Sequence, residues 1–200
     1  MNLAMKSESM AQHFHTLFQQ RSQFTLQLHS LSQEQLWDRK EEGKWSIGEH
    51  VYHLYLIMRM LKVTTKWSFV LIPYAKMKRN KPFATEIHDI YVEFKEKKGR
   101  GMRAPWILEP PNKIRYAMNA RELEQLLLNE TNEMKALVEN MEEDIAGHIV
   151  FLDPIAHYPN LIQSIQILVI HEKHHFTIIE KNYNMVFESN TKINTYHQSS

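Results

Sequence analysis

The chain has 200 residues, the length of one domain, and at that size roughly 70% of the unfolded surface can be buried without disulfide or metal staples. Hydrophobic residues at 43% and charged ones at 24% exclude disordered and fibrous classes, and a formal net charge of +1 without a long basic block argues against nucleic acid as a partner. The absence of cysteine excludes disulfides, thiolate metal sites and a cysteine nucleophile, so any metal must rely on His, Asp, Glu or water.

The opening MNLAMKSESMAQHF lacks the continuous apolar core of a signal peptide. A first helix is expected over residues 7 to 29, where Phe14, Leu17, Phe18, Phe24 and Leu28 recur at helical spacing. LSQEQLWDR reads as a short helical turn capped by Ser32. The second helix starts at a capping box, Ser46 with Glu49, and its stripe of Ile47, Val51, Leu54, Ile57, Met58 and Leu61 runs to about Lys66. Residues 67 to 77 extend that helix or form a separate short one, since Pro73 disturbs a continuous helix. Arg59, Lys62, Lys66 and Pro73 interrupt the apolar runs before about 18 residues accumulate, so no spanning helix and no membrane partner are expected, and the protein reads as cytoplasmic.

From Arg79 to Arg115 the chain is rich in Lys, Pro and Gly and forms the long connection. Asn119 with Glu122 opens a third long helix through Met141. After the breaks at Gly147, Asp153 and Pro159, Asn160 caps a final helix of about 24 residues. The expectation is an all-α, four-helix bundle with a long crossover between the second and third long helices, one domain over residues 1 to 187, and a polar, frayed tail from 188 to 200.

The final helix contains HEKHH, in which His171 and His175 are four residues apart and project from one face. Neutral imidazoles so placed can share a borderline ion such as Zn²⁺ or Ni²⁺, but a pair alone is equally well read as two hydrogen-bonded or solvated histidines. The letters also spell the zinc-peptidase signature H-E-x-x-H, with Glu172 as the base. That reading fails on context: Ile178 and Lys181 stand where the extended signature needs Gly and a third His, and only 25 residues follow His175 to supply a downstream ligand. A third ligand is sought instead on the second helix, where helical phase puts His50 nearer the centre of the apolar stripe than His53.

GKWSIGEHVYHL resembles the W-[ST]-x-x-E-x-x-x-H-L signature of the DinB-like superfamily and its YfiT-type relatives, and HEKHHFTII is similar to the H-x-x-x-H segment on that family's last helix. The lead-in from Leu31 to Arg39 fits as well. This resemblance implies a four-helix bundle holding a divalent metal through three histidines, here His53, His171 and His175. His50 falls where the family varies, against the argument from phase, and remains a supporting or alternative ligand. The resemblance further implies a metal-dependent enzyme with a small-molecule substrate: a thiol-dependent S-transferase using a low-molecular-weight thiol such as bacillithiol, mycothiol or glutathione, or a hydrolase. It also suggests a homodimer. The competing expectation is a non-catalytic dimeric stress or interaction protein whose metal site is structural or vestigial.

Smaller expectations concern single residues. His174 points away from the pair towards the rim, and Glu172 reads as an outward or supporting carboxylate. Asp153 and His157 could approach the site, although a turn carboxylate is more commonly a local cap. Lys95 to Arg103 could attract an acidic cofactor, or be a solvated loop. Trp45 and Trp67 read as packing aromatics, and Met58, Met60, Met77, Met134 and Met141 as adaptable core filling.

Overall fold

A computed structural model describes residues 5–87, 105–153 and 156–183. Seven α-helices run through them: α1 Glu8–Leu28, α2 Gln33–Trp37, α3 Ile47–Ser68, α4 Ile72–Lys78, α5 Ala120–Val138, α6 Glu143–Ala146 and α7 Leu161–Tyr183. The long four, α1, α3, α5 and α7, form the bundle. α3 lies along α5 and α1 along α7, while thinner contacts of α3 with α7 and of α1 with α5 close the ring. Among the described residues the only β pairing is one antiparallel bridge between Val150 and Asn160.

Each long helix begins where a side chain satisfies its first free N–H groups. Ser46 and Glu49 form a reciprocal capping box on α3, and Asn119 and Glu122 do so on α5. Asn160 and Gln163 repeat the arrangement on α7, with bonds of 2.9 and 3.0 Å. The polar ends of this last box also reach the connection: Asn160 Nδ2 donates to Ala84 O and Gln163 Nε2 to Glu86 O. The start of that connection is thereby tied to the start of α7. Residues 88–104 of it, including Lys95 to Arg103, lie outside the described residues, as does the expected tail from 188 to 200.

The core draws on every long helix, with Phe14, Leu17, Met58, Leu123, Met134 and Ile165 almost wholly buried. Residues 67 to 77 resolve into a 3-10 turn, Phe69–Leu71, followed by α4. Pro73 falls in the first turn of α4, where its missing N–H has no partner to lose. Two sequence expectations fail here: Trp67, Met60 and Met77 do not pack in the core but stand exposed. The stretch that holds them has only its opposite face, with Leu61, Thr65 and Ala75, against the bundle.

At the end where α3 begins and α7 finishes, the loop between α2 and α3 is pinned from both sides. Trp37 is buried and donates from Nε1 to Met118 O at 2.8 Å. Its ring lies flat against Gly48, where a Cβ would stand 2.9 Å from the indole, so only glycine fits without a shift. Tyr183, the last residue of α7, donates its hydroxyl to Asp38 O or Trp45 O, at 3.1 and 2.9 Å. α3 and α7 therefore run antiparallel, and the second turn of one faces the second half of the other.

Candidate metal centre

This antiparallel register brings His53 of α3 opposite His171 and His175 of α7. One nitrogen from each of the three rings lies within 4.8 Å of the others, and no other cluster of three or more His, Asp or Glu with ligand-like spacing occurs among the described residues. His53 Nε2 and His171 Nε2 are 3.0 Å apart. Two imidazole nitrogens bound to one Zn²⁺ at about 2.0–2.1 Å with tetrahedral angles stand roughly 3.3 Å apart, so this spacing fits a shared ion.

Protonation favours the same conclusion. His53 Nδ1 is 2.7 Å from Leu108 O, and a carbonyl only accepts, so Nδ1 holds the proton and Nε2 turns its lone pair to the other rings. Burial pushes the His53 ring down to about 4, against the opposing effect of the Leu108 carbonyl. Burial, with the neighbouring histidines adding to it, also holds His171 and His175 well below the ordinary imidazole range. All three are neutral near pH 7, the form in which histidine binds a metal.

The choice between His50 and His53 has a geometric answer. Both are buried, as helical phase and motif separately suggest, but His50 stands outside the group of three. Its Nδ1 lies 2.7 Å from His175 Nδ1, so the two rings share a proton. While that bond stands, the other nitrogen of His175 is the one available to an ion. Burial and the nearby His53 lower the His50 ring to about 4, so it too is neutral.

Trp45 covers this group, its ring stacked on His175 at 6.1 Å and tilted over His53 at 4.7 Å. It is a packing aromatic, as expected, yet the surface it packs on is the histidine cluster. His174 is exposed and meets His175 edge-on at 5.7 Å, the expected rim position. Asp153 serves its own turn: Oδ1 accepts from Ala156 N at 3.2 Å. His157 stands exposed in the same turn with left-handed backbone, φ 57°, and neither joins the three histidines.

Glu172 departs most from its sequence reading. Rather than pointing outward, it is buried, and Arg21 of α1 grips both its oxygens at 2.7 to 3.0 Å. Arg21 also donates to Thr131 Oγ1 of α5, which in turn donates to Leu127 O. Burial pushes the Glu172 carboxyl up while Arg21 opposes that shift. Its partners are thus on α1, and it is no base for a metal on the histidine side. Glu49 is likewise engaged, by Arg39 and by Ser46 N; burial acts to raise its carboxyl, but these partners together hold it below the ordinary carboxylate range.

Sequence reasoning missed the Leu108 carbonyl and the Arg21–Glu172–Thr131 network. Nothing in the spacing of Leu108 or Arg21 marks them, because each meets its partner only across the bundle. No helix of the described residues is long and apolar enough to cross a membrane. Residues 16–179 match the DinB superfamily, while no curated protein and no solved structure matches the chain.

Proposed function

Since the chain belongs to the DinB superfamily, we propose that it is a divalent-metal-dependent enzyme in which His53, His171 and His175 hold the cation, and that it transfers a small thiol to an electrophilic substrate. The observation that carries this reading is the convergence of three neutral imidazoles, with both neighbouring buried carboxylates already held by arginines. Zn²⁺ or Ni²⁺ suits an all-imidazole donor set. Three protein ligands leave coordination positions for an incoming group, as in catalytic rather than closed structural sites. The cation, when bound, supplies Lewis acidity that lowers the pKa of a thiol or of water reaching it.

The protein's own residues then have defined tasks. Leu108 O fixes the His53 tautomer, and His50 orients the ring of His175 through their shared proton. Trp45 walls the imidazoles from water on one side. A hydrolase working by general base catalysis needs a carboxylate or imidazole free to take a proton from water. Glu49 and Glu172 are committed to Arg39 and Arg21, whereas thiol transfer needs no such base once the thiol has ionised. This counts against a hydrolase with a carboxylate base; one that works through metal-bound water or an imidazole is separated from the S-transferase by the substrate screen.

The test is metal analysis of protein purified without a histidine tag, alongside His53→Ala and His171→Ala. Near-stoichiometric divalent metal in the wild type and its loss in both variants is expected; negligible metal in all three would sink the reading. A conjugation screen with monochlorobimane and several low-molecular-weight thiols should then show turnover that disappears on chelation. Turnover only with hydrolysable substrates would replace the transferase by the hydrolase.

A further inference from the structure

The four long helices close unevenly, and the thin seam between α1 and α5 leaves a cavity of about 190 Å³ in the bundle. Every long helix contributes to its wall. Phe24 and Leu28 of α1, Val51 of α3, Leu127 of α5 and Phe176 of α7 are buried and form its floor, while Thr25 of α1 and Glu124 and Leu128 of α5 are half-buried at its mouth. Phe24 and Phe176 stack at 4.2 Å and 12°, so part of that floor is an aromatic surface. No histidine lines this space. Phe176 stands about 100° round α7 from His175 and about 140° from His171, and Val51 about 160° round α3 from His53. The cavity therefore lies behind the imidazoles, on the other side of the two helices that carry them.

One polar group reaches the cavity from within. Arg21 lines it while Nε, Nη1 and Nη2 donate to Glu172 and Thr131. Among the described residues those bonds use three of the five N–H groups of the guanidinium, and one on each terminal nitrogen is left. The charge is already matched: Glu172 neutralises Arg21, and Glu124 at the mouth adds a carboxylate, which His29 Nε2 meets at 2.7 Å. A ligand carboxylate would bring a further negative charge to a guanidinium already paired, and an ammonium would be buried beside Arg21. Neutral chemistry with one acceptor is what remains. Water fits poorly, since it needs two to four polar partners and the floor offers only Arg21. A dry apolar cavity of about 150 Å³ holds benzene, so this one has room for a single ring with a small substituent.

We propose that this cavity is a second ligand site, selective for a small neutral aromatic carbonyl compound, with the ring against Phe24 and Phe176 and the carbonyl oxygen accepting from Arg21. The ligand enters at the mouth between α1 and α5. Binding here is independent of the metal centre and of the reaction assigned to it. Selectivity follows from the lining. A ring gains aromatic and aliphatic contact, a plain hydrocarbon leaves the Arg21 N–H groups without an acceptor, and charged analogues lose hydration without gaining a partner.

Benzamide is the probe. Calorimetric titration of the full chain should give one site with a dissociation constant on the order of 1 mM, the range open to a ligand of this size, and the methyl NMR signals of Leu28, Val51, Leu127 and Leu128 should shift with it. Benzoate and benzylamine, both charged at neutral pH, are expected to bind about 10-fold more weakly. No binding of benzamide, or equal binding of benzoate, overturns the proposal. Arg21→Met combined with Glu172→Leu removes the ion pair as a pair; it should weaken benzamide about 10-fold while toluene binds as to the wild type, and unchanged benzamide binding overturns the role of Arg21. Thr25→Phe fills the mouth without touching that pair and should abolish the methyl shifts; shifts that persist place the ring elsewhere and overturn the site. His53→Ala should bind benzamide as the wild type does, whatever its metal content; loss of binding there puts the ring at the metal centre and overturns a second site. Decanol binding where benzamide does not would make the cavity an alkyl-chain site, which overturns the proposal as well.

Discussion

Burial keeps His50 and His53 uncharged, and this makes protonation the first lever on the site. Unfolded, each ring takes up a proton as pH falls below 6.5; folded, each resists until about 4. The unfolded state therefore binds more protons between those values, so stability present above pH 6.5 is lost as pH falls through that window. A shift of this size corresponds to at most roughly 3 kcal/mol per ring. Chemical denaturation of the metal-free protein at pH 7.5, 6 and 5 should show the decline, and a flat profile would contradict neutral burial. At His50 the expected result of substitution by phenylalanine is a metal affinity reduced about 10- to 100-fold with stoichiometry retained, because only the support of His175 is lost. Titration with a competing chelator reads that change; loss of stoichiometry would make His50 a ligand instead. Phase along α3 cannot separate His50 from His53, since both rings are buried and the ligand is chosen by what α7 and Leu108 present across the gap.

Three helices are joined by one buried ion pair. Glu172 of α7, Arg21 of α1 and Thr131 of α5 satisfy one another away from water, and removing a single partner strands a charge. Glu172→Ala is expected to destabilise the fold by about 3–5 kcal/mol, whereas Arg21→Met combined with Glu172→Leu should be near neutral. Urea unfolding of the two proteins decides it; similar losses in both would mean that packing, and not the stranded charge, sets the cost. Helix starts carry smaller terms: Asn160→Ala removes a cap and should cost about 1 kcal/mol. These starts were legible, because a capping box is written within four residues. The Arg21 pair was not, since its members are 151 positions apart. Trp67, Met60 and Met77 were misread for a related reason: an apolar side chain on a helix does not show by itself which face the bundle already occupies.

For the molecule as a whole, a cation held as proposed between α3 and α7 would stabilise the folded state that binds it. At free metal about 100 times the dissociation constant this linkage is worth roughly 2.7 kcal/mol, on the order of 5–10 °C in melting temperature for a chain of this size. Chelation should lower the melting temperature accordingly and leave His53→Ala unaffected; identical melts with and without chelator would favour the non-catalytic alternative. By itself the sequence determined the helical segments, their caps, the cysteine-free chemistry open to a metal, and the pair His171 and His175. These follow from local rules, in which periodicity, end residues and spacing are read within a few turns of one chain; His53 came from the family resemblance, against the phase of its helix, which favoured His50. Only the tertiary structure decided that His53 converges on the final pair while His50 meets His175 from the side, that Leu108 sets a tautomer, that Glu172 belongs to Arg21, and that Met60, Trp67 and Met77 stand exposed. Each of those depends on which surfaces meet when the four helices close, and that is fixed by packing between residues far apart in the chain.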